Sequence, residues 1–166
     1  MRVDPIAFLH PDYLKAAVVF EHLRGIVVSL EPQPETVAVT VTIPAYMNAL
    51  INHLAISTGA TPGHATAALF DAGDLLSMEF DELGRRVKFN NDLLAIERDG
   101  TVQLDKVTID MPSKYWSLVL RESLAAQRTT ADRWLAASIQ TVIAVAIEAA
   151  DGPQDPQVPP KPHLIA

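Results

Sequence analysis

Thr36-Val37-Ala38-Val39-Thr40-Val41-Thr42-Ile43, closed by Pro44, is the stretch on which the fold turns. Val37, Val39, Val41 and Ile43 alternate with Ala38, Thr40 and Thr42, the period of two that a strand with one buried face requires. From Ala45 the period lengthens. Met47, Leu50, Ile51, Leu54 and Ala55 fall at helical spacing. Gly59 closes that helix, and Thr61-Pro62 opens another, with Thr as its N-cap and Pro at its first position. Ala65, Ala68, Leu69, Ala72, Leu75 and Leu76 give the second helix its apolar face.

Upstream, the pattern predicts a helix from Pro11 or Asp12 to Leu23, with Tyr13, Ala16, Ala17, Phe20 and Leu23 on one face and Gly25 as its stop. Ile26 to Leu30 then reads as a short strand, joined to the first through the Pro-containing loop 31–35. Downstream the same order returns. Leu93 to Ile96 and Val102 to Met111 read as strands joined by Arg98-Asp99-Gly100, a hairpin turn. After Pro112 a helix carries Trp116, Val119, Leu120 and Leu124. Thr129 or Thr130 caps a last helix holding Leu135, Ile139, Val142, Ile143 and Ala146.

An ungapped offset of 68 places Val39, Thr40, Pro44, Leu50, Thr61 and Ala68 on Val107, Thr108, Pro112, Leu118, Thr129 and Ala136. The expected fold is therefore α+β. Two units, each a strand hairpin plus a helix pair, pack as one domain over residues 1–151, with an internal pseudo-repeat at about 25–84 and 93–151. A Pro-rich tail occupies 152–166.

Residues 36–76 resemble the ribbon-helix-helix fold of small bacterial repressors and antitoxins. The strand ending in Thr40-Val41-Thr42-Ile43-Pro44, the apolar Met47, Ile51 and Leu54, the turn residue Gly59 and the capping Thr61 carry the resemblance. A fainter echo spans 106–145, with Gln127 in place of the turn glycine. The resemblance implies that Ala38, Thr40 and Thr42, and Lys106, Thr108 and Asp110 in the echo, face outward where that family reads DNA. The family does so with basic or amide side chains, whereas the first ribbon segment offers only Ala and Thr.

Charge points the same way. The 166 residues carry a net charge of −7, all of it from Met1 to Gly84, where three basic residues face ten acids. No Lys or Arg stands between Arg24 and Arg85. Nucleic-acid affinity rests on Lys and Arg displacing counterions, so DNA is not the expected partner. The chain has no cysteine, which removes disulfide scaffolds and thiol chemistry and suits a reducing compartment; the expected location is the cytoplasm. The most apolar run, Leu135 to Ala150, is too short for a membrane span and is interrupted by Ser138, Gln140, Thr141 and Glu148.

No catalytic signature, glycine-rich phosphate loop or cofactor motif is present, and the chain is read as non-enzymatic. His53 and His64 lack metal-ligand spacing, so no metal site is assigned. Asp71, Asp74, Glu79, Asp81 and Glu82 form the densest acidic cluster and are candidates for docking a partner. Val39, Thr40, Val41 and Thr42, together with Trp116 and Trp134, are candidates for an interface. The function expected is a self-associating protein-binding or assembly module, acting on itself and on another protein. The alternatives are a ribbon-helix-helix regulator or antitoxin, and an acidic inhibitor of a nucleic-acid-binding protein. The strand 36–43 is expected at a seam between two molecules, because it lacks the lysines that blunt an exposed edge. The competing arrangement pairs it with Val107 to Met111 inside one chain.

Overall fold

The computed structural model describes residues 13–76, 79–80, 86–87, 103–126 and 129–151. In chain order these form α1 (Tyr13–Ser29), β1 (Thr36–Pro44), α2 (Ala45–Thr58), α3 (Pro62–Leu76), β2 (Glu79–Phe80), β3 (Arg86–Val87), β4 (Leu104–Pro112), α4 (Ser113–Ala126) and α5 (Ala131–Asp151). The fold is α+β: among the described residues, five helices and an antiparallel ribbon of β1 with β4, beside the short pair β2–β3.

β1 does not pair with 26–30. Residues 26–29 continue α1, which passes through Gly25 and ends at Ser29, and Leu30 follows the helix. The reason is burial. Val27 is fully enclosed on the stripe that begins at Val19 and Leu23, while Ala17 of the expected face is exposed. Burying one valine stabilises by about 1.5–3 kcal/mol, more than the ~1 kcal/mol that a mid-helix glycine costs. The hairpin expected upstream of β1 therefore does not exist. Residues 93–96 and the turn 98–100 of the second expected hairpin lie outside the described residues.

β1 pairs instead with β4, antiparallel, and Thr40 stands opposite Thr108 at the centre. This is the intramolecular arrangement; the seam between molecules is corrected to a seam within one chain. Along β1, Val39, Val41 and Ile43 are buried while Ala38, Thr40 and Thr42 are exposed. Ile109 and Met111 are the buried residues of β4, with Val107 half-buried opposite Val41. One face of the ribbon thus lies on the helices and the other faces solvent.

The two strands are of equal length, and each ends in a proline that leads into a helix of 14 residues. Pro44, at φ −54° and ψ 139°, holds the extended geometry of an N-cap. The ribbon ladder is extended at both ends by the first helical amides: Ala45 N–H donates to Gln103 O at 2.8 Å, and Ser113 N–H to Glu35 O at 3.0 Å. α2 ends on Gly59 in the left-handed region (φ 74°), whose N–H donates to Ala55 O.

The helices that follow do not keep the offset of 68. Thr61 Oγ1 accepts from His64 N–H at 3.1 Å, and Thr130 Oγ1 accepts from Arg133 N–H at 3.3 Å. Thr130, not Thr129, is the cap, so the two capping threonines stand 69 residues apart while the paired Thr40 and Thr108 stand 68 apart.

The core runs between ribbon and helices. Tyr46, Met47, Ile51 and Leu54 of α2, Leu69 and Phe70 of α3, and Leu135, Ile139 and Ile143 of α5 are all essentially closed to solvent. α3 lies on α5 and across the edge of β4. α1 covers α2, α3 and α5 from outside.

Candidate binding surface

The outward face of the ribbon is the surface singled out by the sequence. Thr40 Oγ1 and Thr108 Oγ1 meet at 3.1 Å across its centre, with Ala38 opposite Asp110 and Thr42 opposite Lys106 to either side. The strip therefore presents hydroxyls, one cation and one anion. Its outer edges are occupied. Thr42 N–H, which points away from β4, donates to Asp132 Oδ2 at 2.9 Å, and the backbone of α3 at Gly63 lies hard against the carbonyl of Asp110. A helix thus stands against each edge at that point.

Of the interface candidates, Val39 and Val41 belong to the core and Thr40 and Thr42 are exposed. Trp134 is buried, and its Nε1–H donates to Glu122 Oε1 at 2.9 Å; Trp116 is half-buried. The two tryptophans and the ribbon face do not form one exposed patch.

The acidic candidates separate as well. Asp74 is buried and Asp71 half-buried on α3, Glu79 lies on β2, and Asp81 and Glu82 fall outside the described residues. Asp71 borders a groove of about 550 Å³ between α1 and α3, with Ile26, Leu30, Ala68 and Ala72 among its apolar walls. Leu75, 66% exposed, lies at its end. Burial pushes the Asp71 carboxyl above its ordinary value, the charge of Asp74 adds to this, and the ammonium of Lys114 opposes it. The Tyr115 hydroxyl is also raised, by burial first and by Asp71 second.

These shifts give a signed pH dependence. Folded Asp71 keeps its proton to higher pH than the unfolded chain does, so its contribution is fully present below the unfolded value of 3.8 and is lost as pH rises through the folded value. Asp71→Asn is expected to melt higher than the natural chain at neutral pH and level with it near pH 3. Thermal melts across pH check this; a lower melt at neutral pH would mean that the attraction to Lys114 outweighs burial.

His53 stacks edge-on to Phe20 at 6.3 Å, and His64 Nε2 sits 2.9 Å from Val27 O, so the two histidines serve separate packing contacts. Among the described residues no group of three His, Asp or Glu side chains is placed to hold a metal ion. Among them, too, no helix is long and apolar enough to cross a membrane.

No family model, curated protein or solved structure matches this chain. The surface must be read from its own chemistry.

Three polar groups escaped the sequence reading: Gln140, bonded by the Tyr46 hydroxyl, Glu122 against Trp134, and Asp132 on Thr42. Each lies on a helix where polarity reads as a solvent face. Only Asp132, in the first turn of α5, carried a signal, that of a residue favoured near a helix start.

Proposed function

We propose that this chain is a non-enzymatic protein-binding module in which one polypeptide supplies both halves of a ribbon-helix-helix-like body. The observation that carries this reading is the register. Thr40 stands opposite Thr108, and each strand runs through a proline into a helix of 14 residues and then a Thr-capped helix. That is the arrangement expected of two strand–helix–helix units about a pseudo-two-fold axis, supplied by an internal repeat.

Protein rather than DNA is favoured by the outward ribbon, where Lys106 is offset by Asp110 and the other positions are Thr and Ala. The surface best suited to a partner is the α1–α3 groove. It combines apolar walls with Asp71 and with Glu21, whose carboxylate is already paired with Arg24 at 2.9 Å. No Lys or Arg is among its described lining residues, which fits apolar side chains with a cationic group beside Asp71. Association through the ribbon itself is not part of this reading, since β4 already fills that role.

A regulator is the second reading, and the paired hydroxyls of Thr40 and Thr108 favour it. Fluorescence anisotropy separates the two, using labelled duplex DNA and a labelled Leu/Lys amphipathic peptide at low and physiological salt. The expected result is peptide binding that Leu75→Arg abolishes, with no sequence-dependent binding of DNA. Sequence-dependent DNA binding that survives physiological salt would overturn the protein reading in favour of the regulator.

A further inference from the structure

The seam between the two strand–helix–helix units differs from one side to the other. Tyr46 of α2 donates its hydroxyl to Gln140 Oε1 of α5, a buried neutral pair. The corresponding positions, by the offsets of 68 and 69, are Lys114 and Asp71, which carry opposite charges that act on one another. At the ribbon edge, Gly63 lies against the Asp110 carbonyl, where the corresponding pair is Asp132 and Thr42, joined through a carboxylate. Between the long helices, Gly73 lies against the Ser138 carbonyl, and a Cβ there would stand 2.5 Å from that carbonyl carbon. The residue corresponding to Gly73 is Val142, which is buried.

Building on the pseudo-two-fold reading, we propose that the two units are a mutually specific pair: the surface that each turns to the seam fits the other unit better than a second copy of itself, and that of the second unit excludes its own copy.

Two second units would place Val142 where Gly73 stands. α5 could not then approach its copy as closely as α3 approaches α5, and the core between them would open. Each Asp132 would lie at the edge of a strand carrying Asp110, and each Lys114 would face Gln140 with no counter-charge. Two first units would fit sterically, because glycine would stand at both crossings. They would lack Asp132, though, so Thr42 N–H would lose its acceptor at both edges. Both like-with-like pairings are therefore worse than the natural one, the second more severely. The ribbon this leaves is asymmetric, Ala38-Thr40-Thr42 on one strand against Asp110-Thr108-Lys106 on the other, and what binds it meets two different strands.

The test uses full-length chains. In one, residues 36–76 are replaced by a second copy of 104–145; in another, that inserted copy also carries Asp132→Gly and Val142→Gly. The first is expected to lose its cooperative thermal transition, or to melt lower than the natural chain by at least about 15 °C. Because α1 also packs on α3, the second chain decides the cause: the two glycines are expected to recover half or more of the loss. A like-with-like chain that melts within about 3 °C of the natural one overturns the proposal. So does a loss that the glycines leave unchanged, since the rejection would then lie away from the seam. Neither readout involves a binding partner, so the outcome stands apart from the anisotropy test.

Discussion

Val41→Asp is expected to unfold this protein at every concentration. Val41 is 1% exposed, stands opposite Val107 and points into the core shared by ribbon and helices. A carboxylate placed there has no cation to pair with on β1, whose other residues are Thr, Val, Ala, Ile and Pro. Burying an unpaired charge costs several kcal/mol, against a total stability of about 5–15 kcal/mol for a domain of ordinary size. Because β1 and β4 belong to one chain, no dilution separates them and no excess of protein rescues them. Circular dichroism melts and size-exclusion light scattering at two protein concentrations check this together. Dissociation into folded, smaller species would show that the seam lies between molecules after all. Thr40→Asp is the control: the same carboxylate on the solvent face, next to Thr108, is expected to cost no more than about 1 kcal/mol.

The strand at 36–43 was legible because alternation fixes which face is buried, and the helices after it because their apolar spacing and capping residues agree. The same signals located α5. α4 lies where its apolar row placed it, but Leu120 and Leu124 of that row are exposed, and Tyr115 and Ala126 are buried beside Val119 instead. What alternation cannot supply is the partner of a strand, since it describes one strand's two faces and says nothing about its edges. Two arrangements fitted the valine row equally well, and the 68-residue separation of Thr40 from Thr108 decided between them only once the register was in view. Ile26-Val27-Val28 misled for a different reason. Three β-branched residues after a glycine carry strand propensity, but propensity spans about 1 kcal/mol and the burial of Val27 in the core outweighs it.

The surface was less legible than the fold. Asp71 and Asp74 are neighbours in sequence and in the acidic count, yet one borders a groove and the other is buried. The groove beside Asp71 depends on where α1 lies, and α1 was read as shorter than it is. Tyr46 and Gln140 are 94 residues apart and joined only by tertiary packing, so no local pattern could pair them.

Alanine in place of glycine is expected to give opposite results at two helical positions, and Gly63→Ala is the damaging one. In isolation the substitution favours a helix by up to ~1 kcal/mol. Gly25 has that freedom: nothing lies within 4 Å of the added carbon, so Gly25→Ala is expected to raise the melting temperature slightly. At Gly63 the added carbon would fall inside the Asp110 carbonyl oxygen and 2.6 Å from its carbonyl carbon. The obstacle is backbone, and that backbone is held by the nine-residue pairing of β4 with β1, so it cannot turn aside as a side chain would. Overpacking of this kind costs about 1–3 kcal/mol and at times more, which exceeds the gain in propensity. Relief requires α3 to lift from the ribbon edge, and Thr61, which caps the same turn through His64 N–H, would move with it. Chemical denaturation of the two variants beside the natural chain tests the contrast. Gly63→Ala should lower the midpoint with the slope unchanged, and equal midpoints for the two variants would mean that α3 does not sit against β4 as closely as described.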